Sequence, residues 1–238
     1  MAAAKGDALE PKRLIWKRAV KLAATIFPPV ELFEDVADSD DFAALAALIA
    51  RTHPATNPAA CFAWQVPPED RALGPGAGYV MAPFAYISPS GTRFGPPALS
   101  AAPYGVFYSA RDEATSIAEV KHHRTGFLKA TAAPPQDLDY EVLNSVVKGT
   151  AFYDIRDRRK DFRDVYSTTE YEASQKLAAQ LRAKGADGIA YDSVRREGGE
   201  CVAVFRPRCV TQCRPVKQLI FRWDGESIAA VLEARPIA

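Results

Sequence analysis

Histidine, cysteine and methionine are scarce in this chain, at three, four and two among 238 residues. Cys61, Cys201, Cys209 and Cys213 are scattered and none forms a Cys-x-x-Cys pair, so no zinc ligand set is recognisable. His122 and His123 are adjacent and on a helix would project about 100° apart, poorly placed to share an ion. No apolar run approaches the roughly 20 residues that span a bilayer. The opening Met1-Ala-Ala-Ala-Lys5-Gly6-Asp7 lacks the contiguous apolar centre of a secretory signal, so cytoplasm with reduced thiols is the expected setting. Charge of one sign is also lacking: 30 Lys and Arg against 29 Asp and Glu leave a formal +1, which gives no reason to expect direct nucleic-acid binding. There is no Gly-x-Gly-x-x-Gly or phosphate-loop signature and no internal repeat.

What is present is the composition of a globular domain, 48% hydrophobic and 25% charged, in a chain long enough to bury an ordinary core. Residues 1–30 carry Lys5, Lys12, Arg13, Lys17, Arg18 and Lys21 against Asp7 and Glu10. Leu14, Ile15, Val20, Leu22 and Ile26 are read as one side of a basic helix stopped by Pro28-Pro29, an appendage to a domain over 31–238. A second helix is expected from Ser39 to about His53, then an irregular Pro/Gly/Ala-rich connection over 54–78. Tyr79 to Tyr86 reads as strand-like, Ala132 to Leu138 as a loop and Ala151 to Ile155 as a strand. The charged run Arg156 to Asp164 reads as a solvated face. Tyr171 to Lys184 is a strong helix with Gly185 as its stop. Strand patterns follow at Gly188–Tyr191, Cys201–Phe205, Leu219–Trp223 and Ser227–Leu232. Strands and helices mix without a βαβ rhythm, so the expected fold class is α+β.

The stretch from Thr92 to Arg124 places an arginine, a strand tyrosine and a helical glutamate in order. Arg93 lies in a Gly/Pro-rich loop. Tyr108 ends the run Tyr104-Gly-Val-Phe-Tyr108, read as a buried strand. Ala114, Ile117, Ala118 and Lys121 recur at helical spacing behind Ser109 or Asp112 as N-cap, so Glu119 sits about two turns into a helix. Thr115, Ser116, His122 and His123 share its face. A polar face has an ordinary explanation in solvation. Likewise Arg93 can pair with a surface acid, Tyr108 can belong to the core and Ser193 can cap a turn.

Thr92-Arg93-Phe94, Tyr104 to Ala110 and Ala114 to Glu119, joined by Asp187-Gly-Ile-Ala-Tyr-Asp-Ser193-Val-Arg195 and Gly198 to Phe205, together resemble the RES domain. The resemblance spans about residues 42–233 and rests on the ordered set of segments. Two departures stand out: the proline-rich link from Gly95 to Pro103, and Ala59 after Thr56-Asn57-Pro58, where longer members tend to carry an arginine. Arg51 is the candidate substitute.

The resemblance implies an ADP-ribosyltransferase-like mixed sheet flanked by helices. It also implies an NAD+-consuming toxin, restrained by an Xre-like antitoxin, with an oligomer formed through that complex. NAD+ would be substrate, with no resident cofactor or metal and no membrane partner. Glu119 would stabilise positive charge on the ribose as nicotinamide leaves. Arg93 would hold the pyrophosphate. Tyr108 would offer a ring face and a hydroxyl, and Ser193 would bond the ribose or carboxamide, with Arg51 a further binding residue. Water, phosphate or a protein side chain as acceptor would make the protein a glycohydrolase, a phosphorylase or an ADP-ribosyltransferase. A silent nucleotide- or partner-binding module is the reading from a different class.

Overall fold

The computed structural model describes residues 9–25 and 66–235. The expected helix from Ser39, Arg51, the Thr56-Asn57-Pro58 triplet, Cys61 and the Pro28-Pro29 stop lie outside the described residues.

Among the described residues, seven strands form one sheet in the order β1-β2-β5-β4-β3-β6-β7, and β1 also pairs with β3, so five strands close into a circuit that β6 and β7 extend. They are β1 (Pro11–Ala24), β2 (Phe107–Ala110), β3 (Gln136–Asp154), β4 (Gly188–Asp192), β5 (Glu200–Val204), β6 (Val210–Trp223) and β7 (Ile228–Ala234). The helices are α1 (Ala77–Ala85), α2 (Glu113–Ala130) and α3 (Glu172–Ala183). All ladders are antiparallel except β3 with β4, which gives the mixed sheet of an α+β fold.

The N-terminal stretch corrects the sequence reading. Pro11–Ala24 is a strand, not a helical appendage, and pairs with β3 from Pro11 opposite Tyr153 to Ala24 opposite Tyr140. Leu14 and Trp16 face one core, Ile15 faces out, and a register shift between Trp16 and Ala19 leaves Lys17 and Arg18 both exposed. Beyond that bulge Val20 and Leu22 face a second core. The two consecutive outward cations break the alternation that marks a strand and leave a pattern that resembles a helix stripe.

Tyr79 to Tyr86 is corrected as well. All but Tyr86 lies on α1, whose buried Val80 and Phe84 are four apart, while Pro83 and the aromatic content mimic an edge strand. The strand at Ala151 extends back to Gln136. α3 ends as expected: Gly185 adopts φ +84°, and the Ala186 N–H returns to the Leu181 carbonyl at 3.0 Å.

Both faces of β4 and β5 are covered. Ile189, Tyr191, Cys201 and Ala203 pack with Leu177 and Leu181 of α3, while Ala190, Val202 and Val204 pack with Trp16, Phe84 and Phe107. This explains their unbroken apolar runs. α2 covers the third cluster through Leu128, over Tyr140, Phe221 and Trp223. Each such fully buried side chain contributes roughly 1.5–3 kcal/mol. At Gly188 a Cβ would lie 2.3 Å from the Ala203 carbonyl oxygen, so this close strand approach requires glycine.

Candidate functional site

Strand directions bring the distant segments together. β2 and β4 each run antiparallel to β5, which lies between them, so both end at the same edge of the sheet. α2 leaves that edge after β2, and the turn carrying Ser193 leaves it after β4. Asp112 caps α2, accepting the Thr115 N–H at 2.8 Å and the Thr115 hydroxyl at 2.9 Å. Arg196 of the turn reaches Asp112 at 3.2 Å and the Thr115 hydroxyl at 2.9 Å, pinning the turn to the helix start. Burial works against the Asp112 carboxylate, but Thr115 and Arg196 outweigh it and hold its pKa below the ordinary range.

Glu119 and Ser193, 74 residues apart, meet: the serine Oγ donates to Glu119 Oε1 at 2.6 Å. Ser193 is fully buried, and its Oγ accepts the N–H groups of Arg195 and Arg196, both at 3.1 Å. Two accepted bonds fill the hydroxyl's acceptor capacity, so its single proton is directed to Glu119. The sequence reading gave this hydroxyl to the ribose or carboxamide of a substrate. In the structure it bonds the Glu119 carboxylate.

Glu119 Oε2 lies 3.9 Å from His123 Nε2, too far for a hydrogen bond. The His123 side chain is largely exposed, yet desolvation on its inner side lowers its pKa; Glu119 pulls the other way, and His122, Arg195 and Arg93 add to the lowering. Thr115 and Ser116, expected on a solvated face, are buried.

Arg93 is buried and pairs with no acid among the described residues. Its Nη1 donates to the Val165 carbonyl at 2.8 Å, and its guanidinium lies 5.0 Å from the centre of the Tyr171 ring at the start of α3. The loop is held from three sides. Gln175 of α3 donates to the Thr92 carbonyl at 2.9 Å, and Phe94 packs edge-on against Tyr191 of β4 at 4.9 Å. The Tyr108 hydroxyl accepts the Phe94 N–H at 2.9 Å and bonds the Thr92 hydroxyl at 2.8 Å. That hydroxyl therefore anchors the Arg93 loop. Burial pushes its pKa well above the usual tyrosine value, keeping it protonated.

No direct contact joins Arg93 to Glu119, but they share neighbours. Tyr191, the Cys201 thiol and the His123 ring each feel both charges. Burial and Glu119 push the Cys201 thiol far above its usual pKa, which keeps it from acting as a thiolate nucleophile. No group of three or more metal-binding side chains occurs among the described residues. Arg51 lies outside them.

A cleft of about 850 Å³ lies between residues 157–161 and 192–198 and touches this constellation through Ser193. Glu119, Arg93 and Tyr108 do not line it, so the site is defined by its carboxylate and not by this cleft. The sequence reading missed Arg196 and Arg159, whose guanidinium donates to the Ser193 carbonyl at 2.5 Å. Arg159 belongs to the run read as solvated, and nothing in its spacing distinguishes it from Arg158.

The RES domain family model matches residues 68–224. An uncharacterised protein, y4oC, of Sinorhizobium fredii (strain NBRC 101917 / NGR234) is 27% identical over 220 residues, covering 88% of this chain and 84% of that one. Among solved structures, a chain of the M. tuberculosis MbcT-MbcA toxin-antitoxin complex aligns with a TM-score of 0.48 at 10% identity, over 94% of this chain and 92% of that chain.

Proposed function

Because the chain belongs to the RES domain family, we propose that it is a toxin that cleaves the bond between nicotinamide and ribose in NAD+. The observation that carries this reading is the Ser193 hydrogen bond, 2.6 Å long, that fixes the Glu119 carboxylate. Nicotinamide leaves as a neutral base with the bonding electron pair, and positive charge develops on the ribose. A carboxylate already held in place stabilises that charge without reorganising. Glu119 Oε1 is held by Ser193, and Oε2 is the oxygen turned to the substrate. Arg93, aligned by Val165 and Tyr171, supplies the cationic donor for the pyrophosphate. The Tyr108 ring packs beside the nicotinamide riboside while its hydroxyl keeps the Arg93 loop closed. An antitoxin partner that restrains this activity, and action in the cytoplasm, belong to the same reading.

Incubation of the purified protein with NAD+, with and without inorganic phosphate, tests it. Nicotinamide release together with ADP-ribose supports water as acceptor, and a phosphorylated product seen only with phosphate supports phosphorolysis. Release that requires a protein acceptor and labels it supports ADP-ribosyl transfer. NAD+ that binds without turnover makes the domain a binding module and contradicts the proposal.

A further inference from the structure

The Ser193 hydroxyl can aim at Glu119 only while its turn keeps its shape, and that turn is held on the side away from α2 by a residue of the 155–164 loop. Arg159 donates through Nη2 to the Ser193 carbonyl at 2.5 Å, and its Nε lies 3.7 Å from Asp192 Oδ2. Its guanidinium sits over the Tyr166 ring at 5.4 Å. The same aspartate accepts the Asp157 N–H at 3.0 Å, and its own N–H donates to the Tyr166 hydroxyl at 3.1 Å. The hydroxyl in turn donates to the Ile155 carbonyl at 2.8 Å. Within the turn, the Ser193 N–H donates to Gly199 at 2.7 Å. Arg196 fixes one flank against α2, and Arg159 fixes the other against the loop.

We propose that Arg159 is a positioning residue for Glu119, acting through Ser193. This rests on the reading of Glu119 as the charge-stabilising carboxylate. A planar fork is needed because one side chain must reach a carbonyl and a carboxylate at once, which a lysine ammonium on a single stem does poorly. Arg158, the preceding residue, is turned instead to Asp161 at 3.1 Å and to the Phe162 ring at 5.0 Å, which makes it a matched comparison.

The experiment compares wild type, R159A, R159K, S193A, R159A/S193A and R158A in NAD+ turnover, thermal midpoint and amide hydrogen exchange at Arg195 and Arg196. R159A is expected to lose on the order of 10²-fold in kcat, since a misplacement of about 1 Å costs that much. Its KM for NAD+ should stay within about threefold of wild type. R159K, which keeps the charge and folds if R159A does not, should lose most of the same activity, and R158A none. R159A/S193A should be no slower than S193A, because both changes act on one contact. Exchange at the two amides should speed up in the Arg159 variants.

Unchanged kcat in R159A or R159K, or fully additive losses in the double variant, would overturn the proposal. If wild type itself releases no nicotinamide, the functional reading fails, and exchange alone judges the positioning. Faster exchange retains the role in holding Ser193, and unchanged exchange removes it.

Discussion

Ser193 accepts two backbone N–H groups and gives its one proton to Glu119, so replacing it acts on the turn and the carboxylate together. Ser193→Ala leaves the Arg195 and Arg196 amides without their side-chain acceptor, at a cost of about 1–3 kcal/mol in stability. It also frees the carboxylate, so kcat should fall on the order of 10²-fold while NAD+ affinity changes little. Denaturant titration and steady-state kinetics on the same preparation check both, and loss of affinity with kcat preserved would return the serine to a substrate-binding role. The sequence made this residue conspicuous through the segment around it, but could not say what its hydroxyl does. Donor and acceptor assignments depend on which amides a turn aims inward, and nothing in the residue types of Asp192-Ser193-Val194-Arg195 encodes that. The Tyr108 hydroxyl is a similar case, bound by Thr92 and Phe94 of a loop whose path a single chain does not disclose.

Among the elements, β1 separates the two readings of the N-terminal region most sharply. On a helix Leu14 and Ile15 share the apolar side. In the strand Trp16 is 3% exposed and Ile15 is 47% exposed. Trp16→Ala should therefore cost about 3–5 kcal/mol, and Ile15→Glu less than about 1 kcal/mol, as read from urea midpoints; equal costs would contradict the strand. The same strand carries Lys21 inward, its Nζ 5.2 Å from the centre of the Phe107 ring. Burial holds its pKa at about 8, below the usual 10.5, against a smaller opposing pull from Cys213. A folded-state value below the unfolded one means that the charged lysine destabilises the fold below pH 8, and that the penalty fades as pH rises toward 10.5. Lys21→Met should stabilise the protein on the order of 1 kcal/mol at pH 7, with the gain shrinking by pH 10. A gain equal at both pH values would contradict this. α3, with Leu177 and Leu181 four apart and Gly185 behind it, was fully legible. β1 and α1 were not, because a bulge in one and a proline in the other displace the periodicity on which pattern reading relies.

For the whole molecule, the α+β class was readable from the absence of a βαβ rhythm, but the closure of the sheet was not. β1 reaches β3 across more than a hundred residues of chain, for instance Pro11 opposite Tyr153, and no local preference specifies such a pairing. The RES segments were legible for the opposite reason: Arg93 to Glu119 and Asp187 to Phe205 are each continuous stretches whose loops and strands are short. The sheet brings these stretches together at one point, because β5 puts the ends of β2 and β4 at a common edge, where Ser193 meets Glu119. The central claim is that Glu119, held there by Ser193, stabilises the charge that develops as nicotinamide leaves NAD+. Measuring nicotinamide release and NAD+ binding in parallel for wild type and Glu119→Gln tests it most directly. The variant should fold, bind NAD+ within about tenfold of wild type and lose at least on the order of 10²-fold in turnover. Release at an undiminished rate would contradict it.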